Sequence, residues 1–276
     1  MTSPQPVALV TGASSGIGAA TARRLAAAGY LVYGAARRAE RLEELRGDGV
    51  VPLVLDLLDE GSLTTAVKQI REDTGRLDVL VNNAGYGSFG AVEDVPLEEA
   101  RRQFEVNLFG LARLVQLSLP MMRSHGTGTI INVSSVAGKV AGPLGGWYHA
   151  TKFALEGFSD SLRQEVAPFG VRVVVVQPGA IKTEWGAHAL DSARRASGDG
   201  DYAHRVEGLA RGILNPAGVQ RRASGPEVIA RVIERAATSS RPRTRYALGH
   251  LAWVGLFGRR MLSDKLLDQV TGRIMG

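Results

Sequence analysis

Short apolar runs alternate with longer amphipathic stretches along this chain, the pattern of repeated strand–helix–strand units whose parallel strands are covered on both faces. Six runs predict strands: Val7 to Val10, Leu31 to Ala35, Val51 to Leu55, Val79 to Val81, Thr129 to Val133 and Val171 to Val176. Between them, apolar spacing of helical period predicts helices over Gly16 to Ala28, Arg38 to Arg46, Glu60 to Thr74, Leu97 to Arg123 with a break near Arg102, and Trp147 to Ala167. The expected fold class is α/β, with a single doubly wound parallel sheet and helices on both faces.

Beyond Thr183 the texture turns small and polar, as in Ser192 to Asp201, over a stretch too long for an ordinary connection. It reads as a mobile lid. Pro226 then opens a helix running to about Ala237 with Ser224 as its cap, and Arg245 to Leu248 adds an edge strand. One domain is expected, with a core over 6–183, the lid over about 184–225, and helices and edge strand over 226–276. The apolar run Leu251 to Phe257, followed by Arg259 and Arg260, falls short of the roughly 20 residues that span a bilayer. Packing against the body or a neighbouring subunit is favoured there over attachment to a membrane surface.

Composition narrows the partners. The 276 residues are 45% hydrophobic and 22% charged, as in ordinary globular proteins, and 34 of them are glycine. There is no cysteine, and the five histidines show no ligand spacing, so neither a disulfide framework nor a metal is expected. Met1 to Pro6 lacks a basic region before an apolar run, so no signal peptide is expected and the cytoplasm is the default location. The net charge of +6 would suit nucleic acid, but the 33 basic residues are nearly all arginine and lie scattered without a stripe. Arginine-rich usage explains them more simply.

Directly after the first strand comes Thr11-Gly12-Ala13-Ser14-Ser15-Gly16-Ile17-Gly18, a glycine-rich turn opening a helix. In a Rossmann-type sheet Gly12 permits the tight turn, Gly16 lets backbone approach a pyrophosphate, and Gly18 allows helix to pack closely on strand. The end of the second strand selects the dinucleotide. Unphosphorylated NAD wants an acidic residue there for its ribose hydroxyl, whereas this chain has Ala36, Arg37 and Arg38. Arg37 can fork onto a 2′-phosphate, so NADP(H) is expected ahead of NAD(H); as a surface residue beginning a helix it would need no ligand. Asp56 and the backbone of Leu57 are placed for the adenine, and Asp59 for capping a helix. Asn82, Asn83, Ala84 and Gly85 close the fourth strand, where amide side chains can fix the loop and contact a ribose.

Tyr148 and Lys152 stand one helical turn apart, with Ser135 upstream. Residues at i and i+4 share a helix face, so an ammonium there can favour the phenolate of a tyrosine that otherwise ionises near pH 10. The trio suits proton transfer between an alcohol and a carbonyl, with Ser135 bonding the substrate oxygen. Taken alone, the pair equally fits a half-buried tyrosine and a solvated lysine.

With these motifs in order, the chain resembles the short-chain dehydrogenase/reductase family, in the branch carrying Tyr-x-x-x-Lys. The resemblance covers Val7 to about Thr183, through TGASSGIG from Thr11, NNAG from Asn82, Asn107 within VNLFG, Ser135 after INVS, YHATK from Tyr148 and PGAIKT from Pro178. It implies a catalytic tetrad of Asn107, Ser135, Tyr148 and Lys152. Tyr148 would be general acid in reduction and base in oxidation, and Lys152 would bind the nicotinamide ribose and depress the tyrosine pKa. Asn107 would distort its helix and hold a water leading to solvent. Pro178 and Gly179 would pass under the nicotinamide, with Ile181 and Thr183 on its carboxamide. Family members that prefer NADP often carry a basic residue where this chain has Ser15, so phosphate recognition falls to Arg37.

The implied activity is an NADP(H)-dependent interconversion of a carbonyl and a secondary alcohol on a largely apolar small molecule. Phe89, Pro143, Leu144, Trp147, Trp185 and Leu190 are the candidate pocket residues, though each also suits ordinary core. The alternatives are an NAD-linked alcohol dehydrogenase, a nucleotide-sensing protein without chemistry, and a structural scaffold. A homo-oligomer, dimer or tetramer, built on the helices around Leu97 to Arg123 and Trp147 to Ala167, is also implied.

Overall fold

The aliphatic runs become strands because both of their faces are covered. The computed structural model describes residues 5–212, 223–250 and 252–275. Strands β1 (Val7–Thr11), β2 (Leu31–Ala36), β3 (Val50–Val54), β4 (Val79–Asn82), β5 (Gly128–Val133), β6 (Val171–Pro178) and β7 (Arg245–Leu248) form one parallel sheet in the order β3-β2-β1-β4-β5-β6-β7. The order reverses between β1 and β4, and the crevice beyond the carboxyl ends of strands at such a reversal is where open α/β sheets bind ligands.

The pleat sends alternate residues of β1 into two cores. Leu9 joins Leu80 and Ile130 beneath α3 (Glu60–Thr74), α5 (Gly110–Ser124) and α6 (Gly146–Val166), which contribute Leu63, Ile70, Leu114, Leu155 and Leu162. Ala8 and Val10 face the other side, under Ala22 and Leu25 of α1 (Gly16–Ala27) and under Ile229 and Ile233 of Pro226–Thr238, here α9. Each fully buried leucine or isoleucine contributes about 1.5–3 kcal/mol over an exposed one. Arg24 of α1 also donates to Glu234 of α9 at 2.5 Å.

Several boundaries differ from the sequence reading. In place of a helix over Arg38 to Arg46, α2 (Ala39–Glu43) is short and passes into a 3-10 turn, Arg46–Asp48, ended by Gly49 in the left-handed region at φ 79°. The long helix is interrupted close to Arg102, as expected, though by a change of winding and not a loop. Its first part, α4 (Leu97–Phe104), runs into a π-helical turn, Glu105–Phe109, before α5 begins. Such turns arise where a side chain draws the helix out of register, and Asn107 sits within this one.

The stretch read as a mobile lid holds two helices, α7 (Trp185–Ser197) and α8 (Ala203–Arg211); its part at 213–222 lies outside the described residues. Ala189, Ala193, Val206 and Leu209 are buried, and the Ser192 and Ser197 hydroxyls accept from the Phe89 and Ala91 amides at 2.8 and 2.9 Å. Ser224 does not cap α9 either. Gly225 holds that position, while Ser224 bridges Ile181 and its carbonyl accepts from the Lys182 amide at 2.9 Å. Asp59 does cap α3, accepting from the Gly61 and Ser62 amides.

The tail forms α10 (Ala252–Met261) and α11 (Asp264–Met275), while Leu251 lies outside the described residues. One side of α10 packs on the body, with Ala252 buried and Gly255 against Val136, and the other leaves Trp253, Val254 and Phe257 exposed. No helix among the described residues is long and apolar enough to cross a membrane.

Candidate active site

The carboxyl ends of β1 and β4 are held together by one threonine. Thr11 Oγ1 accepts from the Asn83 and Ala84 amides at 3.0 Å each and donates to the Val81 carbonyl at 3.3 Å, while Asn83 Nδ2 donates to the Thr11 carbonyl at 2.9 Å. The glycine turn rests on this clamp. Gly12 and Gly16 adopt φ of 68° and 52°, which L side chains rarely do. A Cβ on Gly18 would lie 2.1 Å from the Gly12 carbonyl oxygen, so helix and strand meet there as the motif requires. Ser15 stands at the N-cap of α1 without a side-chain cap bond, leaving first-turn N–H donors to face the cleft.

That cleft has a volume of about 580 Å³ and collects nearly all the residues expected of a dinucleotide site: Gly12, Ser14, Ser15, Gly16, Ile17, Arg37, Asp56, Leu57, Asn83, Ala84, Gly85, Pro178, Gly179, Ile181 and Thr183, together with Ser135, Tyr148 and Lys152. Gly18 and Asn107 stand behind its wall. Arg37 is exposed at the rim, while its neighbour Arg38 donates to Ser14 and Ser15 and pairs with Glu184 at 3.4 Å. The sequence had set Arg37 against a missing basic residue at Ser15, yet Arg38 places its guanidinium over that same serine. Its adjacency to Arg37 was the available signal. The uncapped helix end, the glycine cradle and the rim arginine together fit a phosphorylated dinucleotide.

On α6, Lys152 Nζ donates to the Val133 carbonyl at 3.0 Å, and burial pushes its pKa down to about 8, against the opposing charge of Glu156. Tyr148 is buried beside it, with Lys152 Nζ 5.9 Å from its ring centre. Burial pushes the Tyr148 pKa up to about 12, and the influence acting against burial is the Ser135 hydroxyl, not the lysine. Ser135 Oγ accepts from the Ala137 amide at 3.1 Å and donates to the Pro178 carbonyl at 3.4 Å, which ties the turn after β5 to the end of β6.

Asn107 is buried and bonded on both sides of its amide. Its Oδ1 accepts from the Tyr86 amide at 3.0 Å, and Nδ2 donates to the Tyr86 carbonyl at 2.8 Å and to Thr151 Oγ1 at 3.1 Å. The amide thus clamps the loop after β4 to α6, and the π-helical turn is what carries it there.

Of the six expected pocket residues, only Trp185 lines the cleft. Phe89, Leu144 and Leu190 form an apolar cluster behind Tyr148 and Trp185, with ring centres 5.7 Å apart for Phe89–Tyr148 and 5.1 Å for Tyr148–Trp185. Pro143 and Trp147 belong to neither. Leu144 holds a left-handed φ of 63°, fixed by the Gly90 amide donating to its carbonyl at 2.8 Å. The sequence reading also passed over His149. Its Nε2 accepts from the Gly142 amide and its Nδ1 faces the Ala137 carbonyl, both at 3.1 Å, so the ring is neutral with its proton on Nδ1. Burial lowers its pKa, and the ring fastens both ends of the Ala137–Gly142 loop to α6.

These features define a nicotinamide-dinucleotide oxidoreductase of the Rossmann type. The model for the short chain dehydrogenase family matches residues 6–193, and the chain belongs to that family. It is 33% identical over 273 residues to the NADPH-dependent 3-dehydrocapnine reductase of Ornithobacterium rhinotracheale, covering 95% of each protein. It is 43% identical over 178 residues, 64% of each protein, to the 3-ketodihydrosphingosine reductase of Bacteroides thetaiotaomicron. An alcohol dehydrogenase from the archaeon Thermococcus sibiricus, solved in complex with 5-hydroxy-NADP, matches with a TM-score of 0.73 at 27% identity, over 90% of this chain and 98% of that one.

Proposed function

We propose that this protein is an NADP(H)-dependent reductase that converts a ketone on a largely apolar molecule to a secondary alcohol, and that the reverse oxidation uses the same groups. The observation that carries this reading is the convergence of Ser135, Tyr148 and Lys152 on one dinucleotide-sized cleft with an arginine at its rim. Bound nicotinamide would supply the hydride. Tyr148 Oη then gives its proton to the carbonyl oxygen, and Ser135 Oγ orients that oxygen by a hydrogen bond. A phenol kept protonated by burial is ready to act as an acid at neutral pH. Lys152 binds the ribose hydroxyls in its charged form, and the Phe89, Trp185 and Leu144 cluster excludes water behind the reacting atoms.

Arg37 favours the phosphorylated dinucleotide, and two of the similar proteins are named with NADPH or an NADP derivative. A long hydrocarbon chain bearing the ketone is the substrate class to test first, since one relative is named for ketodihydrosphingosine and the other for a dehydro group at the same numbered carbon. We also take the chain as one domain that associates with itself through α4, α5 and α6. The test uses Tyr148→Phe with NADPH and a panel of long-chain ketones, followed by nicotinamide absorbance. Turnover should fall by about 10²–10⁴ while NADPH binding is retained. Unchanged turnover would remove Tyr148 from the chemistry, and a protein that binds NADPH but reduces nothing before or after the change would be a sensor.

A further inference from the structure

One buried carboxylate takes no part in the chemistry above. Glu156 lies one turn beyond Lys152 on α6 and is 2% exposed. A carboxylate at such a position is held in its charged form only if it is paired and its lone pairs are filled. Both conditions are met from other segments of the site. Gln177 Nε2 of β6 donates to Oε1 at 2.9 Å, Arg245 Nε of β7 donates to Oε2 at 3.0 Å, and Lys139 Nζ lies 3.3 Å from Oε2.

Each partner sits next to a piece of the cleft. Lys139 ends the turn that begins at Ser135, and Gln177 immediately precedes Pro178 and Gly179. Arg245 opens β7, whose Leu248 carbonyl accepts from the Gly179 amide at 2.7 Å. A Cβ on Gly138 would come within 2.9 Å of both Glu156 Cγ and the Lys152 carbonyl oxygen, so the Ser135 turn meets α6 at this carboxylate. The charged groups about Glu156 are Lys152 on its own helix, Lys139 on the turn and Arg245 on β7; β6 presents the neutral Gln177. Asp160, one turn further along α6, accepts from Arg245 Nη2 at 2.7 Å through both oxygens and from Arg163 Nη1 at 2.5 Å, so Arg245 is shared between the two carboxylates and Glu156 also faces the two lysines.

We propose that Glu156 is a positioning residue: its charge keeps Lys152 an ammonium at the ribose side of the cleft, and its bond to Lys139 holds the Ser135 turn against α6. This builds on the role given to Lys152 under the proposed function, yet its electrostatic part is measurable without nucleotide. The chain has five lysines, Lys68, Lys139, Lys152, Lys182 and Lys265, so isotope-labelled lysine side chains give a spectrum simple enough to titrate by NMR. Lys152→Met assigns the signal.

Glu156→Gln should lower the Lys152 midpoint by about one pH unit, the lower end of what an adjacent opposite charge does. Lys139→Met should raise it, because removing that cation leaves Glu156 less compensated. Opposite shifts are the signature, since a residue that merely packs would give neither. A midpoint unchanged within about 0.2 unit in both variants, or moved the same way in both, would overturn the proposal. If Glu156→Gln yields no folded protein, the half-exposed Lys139→Met decides by the sign of its shift alone. Failure of the unaltered protein to bind NADPH would instead sink the proposed function and leave the lysine titration standing.

Discussion

Replacing Gly18 with alanine puts a methyl group where the structure has no room for one. The added Cβ would lie 2.1 Å from the Gly12 carbonyl oxygen and 2.6 Å from Asn83 Nδ2. Carbon and oxygen normally approach no closer than about 3.3 Å, so roughly 1.2 Å of overlap must be relieved. The obstacle is backbone, held by the Thr11 and Asn83 bonds, and no side-chain rotation clears it. Overpacking of this kind costs about 1–3 kcal/mol. For a chain of this size that is roughly 2 to 5 °C in Tm. Relief also moves the first turn of α1 away from a pyrophosphate, and loss of one charge-assisted hydrogen bond weakens binding by about 1.5–3 kcal/mol, or roughly tenfold to a hundredfold in Kd. Differential scanning fluorimetry without nucleotide and NADPH fluorescence titration measure the two effects separately. A Gly18→Ala protein with unaltered Tm and a Kd within about twofold of the parent would show that the turn is not the dinucleotide cradle.

Arg37→Asp should cost NADPH-dependent kcat/KM about tenfold to a hundredfold and spare or improve the NADH rate; equal losses with both would assign Arg37 a structural role. Reduction should decline above about pH 8 as Lys152 loses its proton, a limb visible in the pH profile of kcat/KM. On the acid side, His149 is held neutral, with its folded-state pKa below 6.5. The folded protein therefore binds fewer protons than the unfolded chain in that range, and His149 contributes stability that is full above about pH 6.5 and is lost as pH falls. His149→Gln should flatten the fall of Tm between about pH 6.5 and 5; an identical slope would place the acid sensitivity elsewhere.

The sheet was legible because strands covered on both faces leave unbroken aliphatic runs, and the glycine turn because its spacing answers to a backbone shape. The helix α7 was not. Its buried face is Gly186, Ala189, Ala193 and Ser197, which leave no stripe of large apolar side chains at helical spacing, and they are small because α7 presses on the Phe89–Ala91 loop. A Cβ on Gly90 would come within 2.7 Å of Ala196. The ammonium and phenol of α6 were recognisable as a pair, but their ionisation follows from depth, which no spacing reveals. Likewise Glu156 reads as a solvated helix residue until Lys139, Gln177 and Arg245, far apart in the chain, gather around it.

The contact between α1 and α9 sets a limit on how this protein can be cut. The region that the family model matches ends at residue 193, whereas the helix covering Ala22 and Leu25 begins at Pro226. A fragment ending at the family boundary would retain every residue of the proposed chemistry and leave the dinucleotide helix with a bare oily flank. Such a fragment should aggregate or melt far below the intact chain, so the shortest working version must extend through Thr238 and on to the last sheet strand at Leu248.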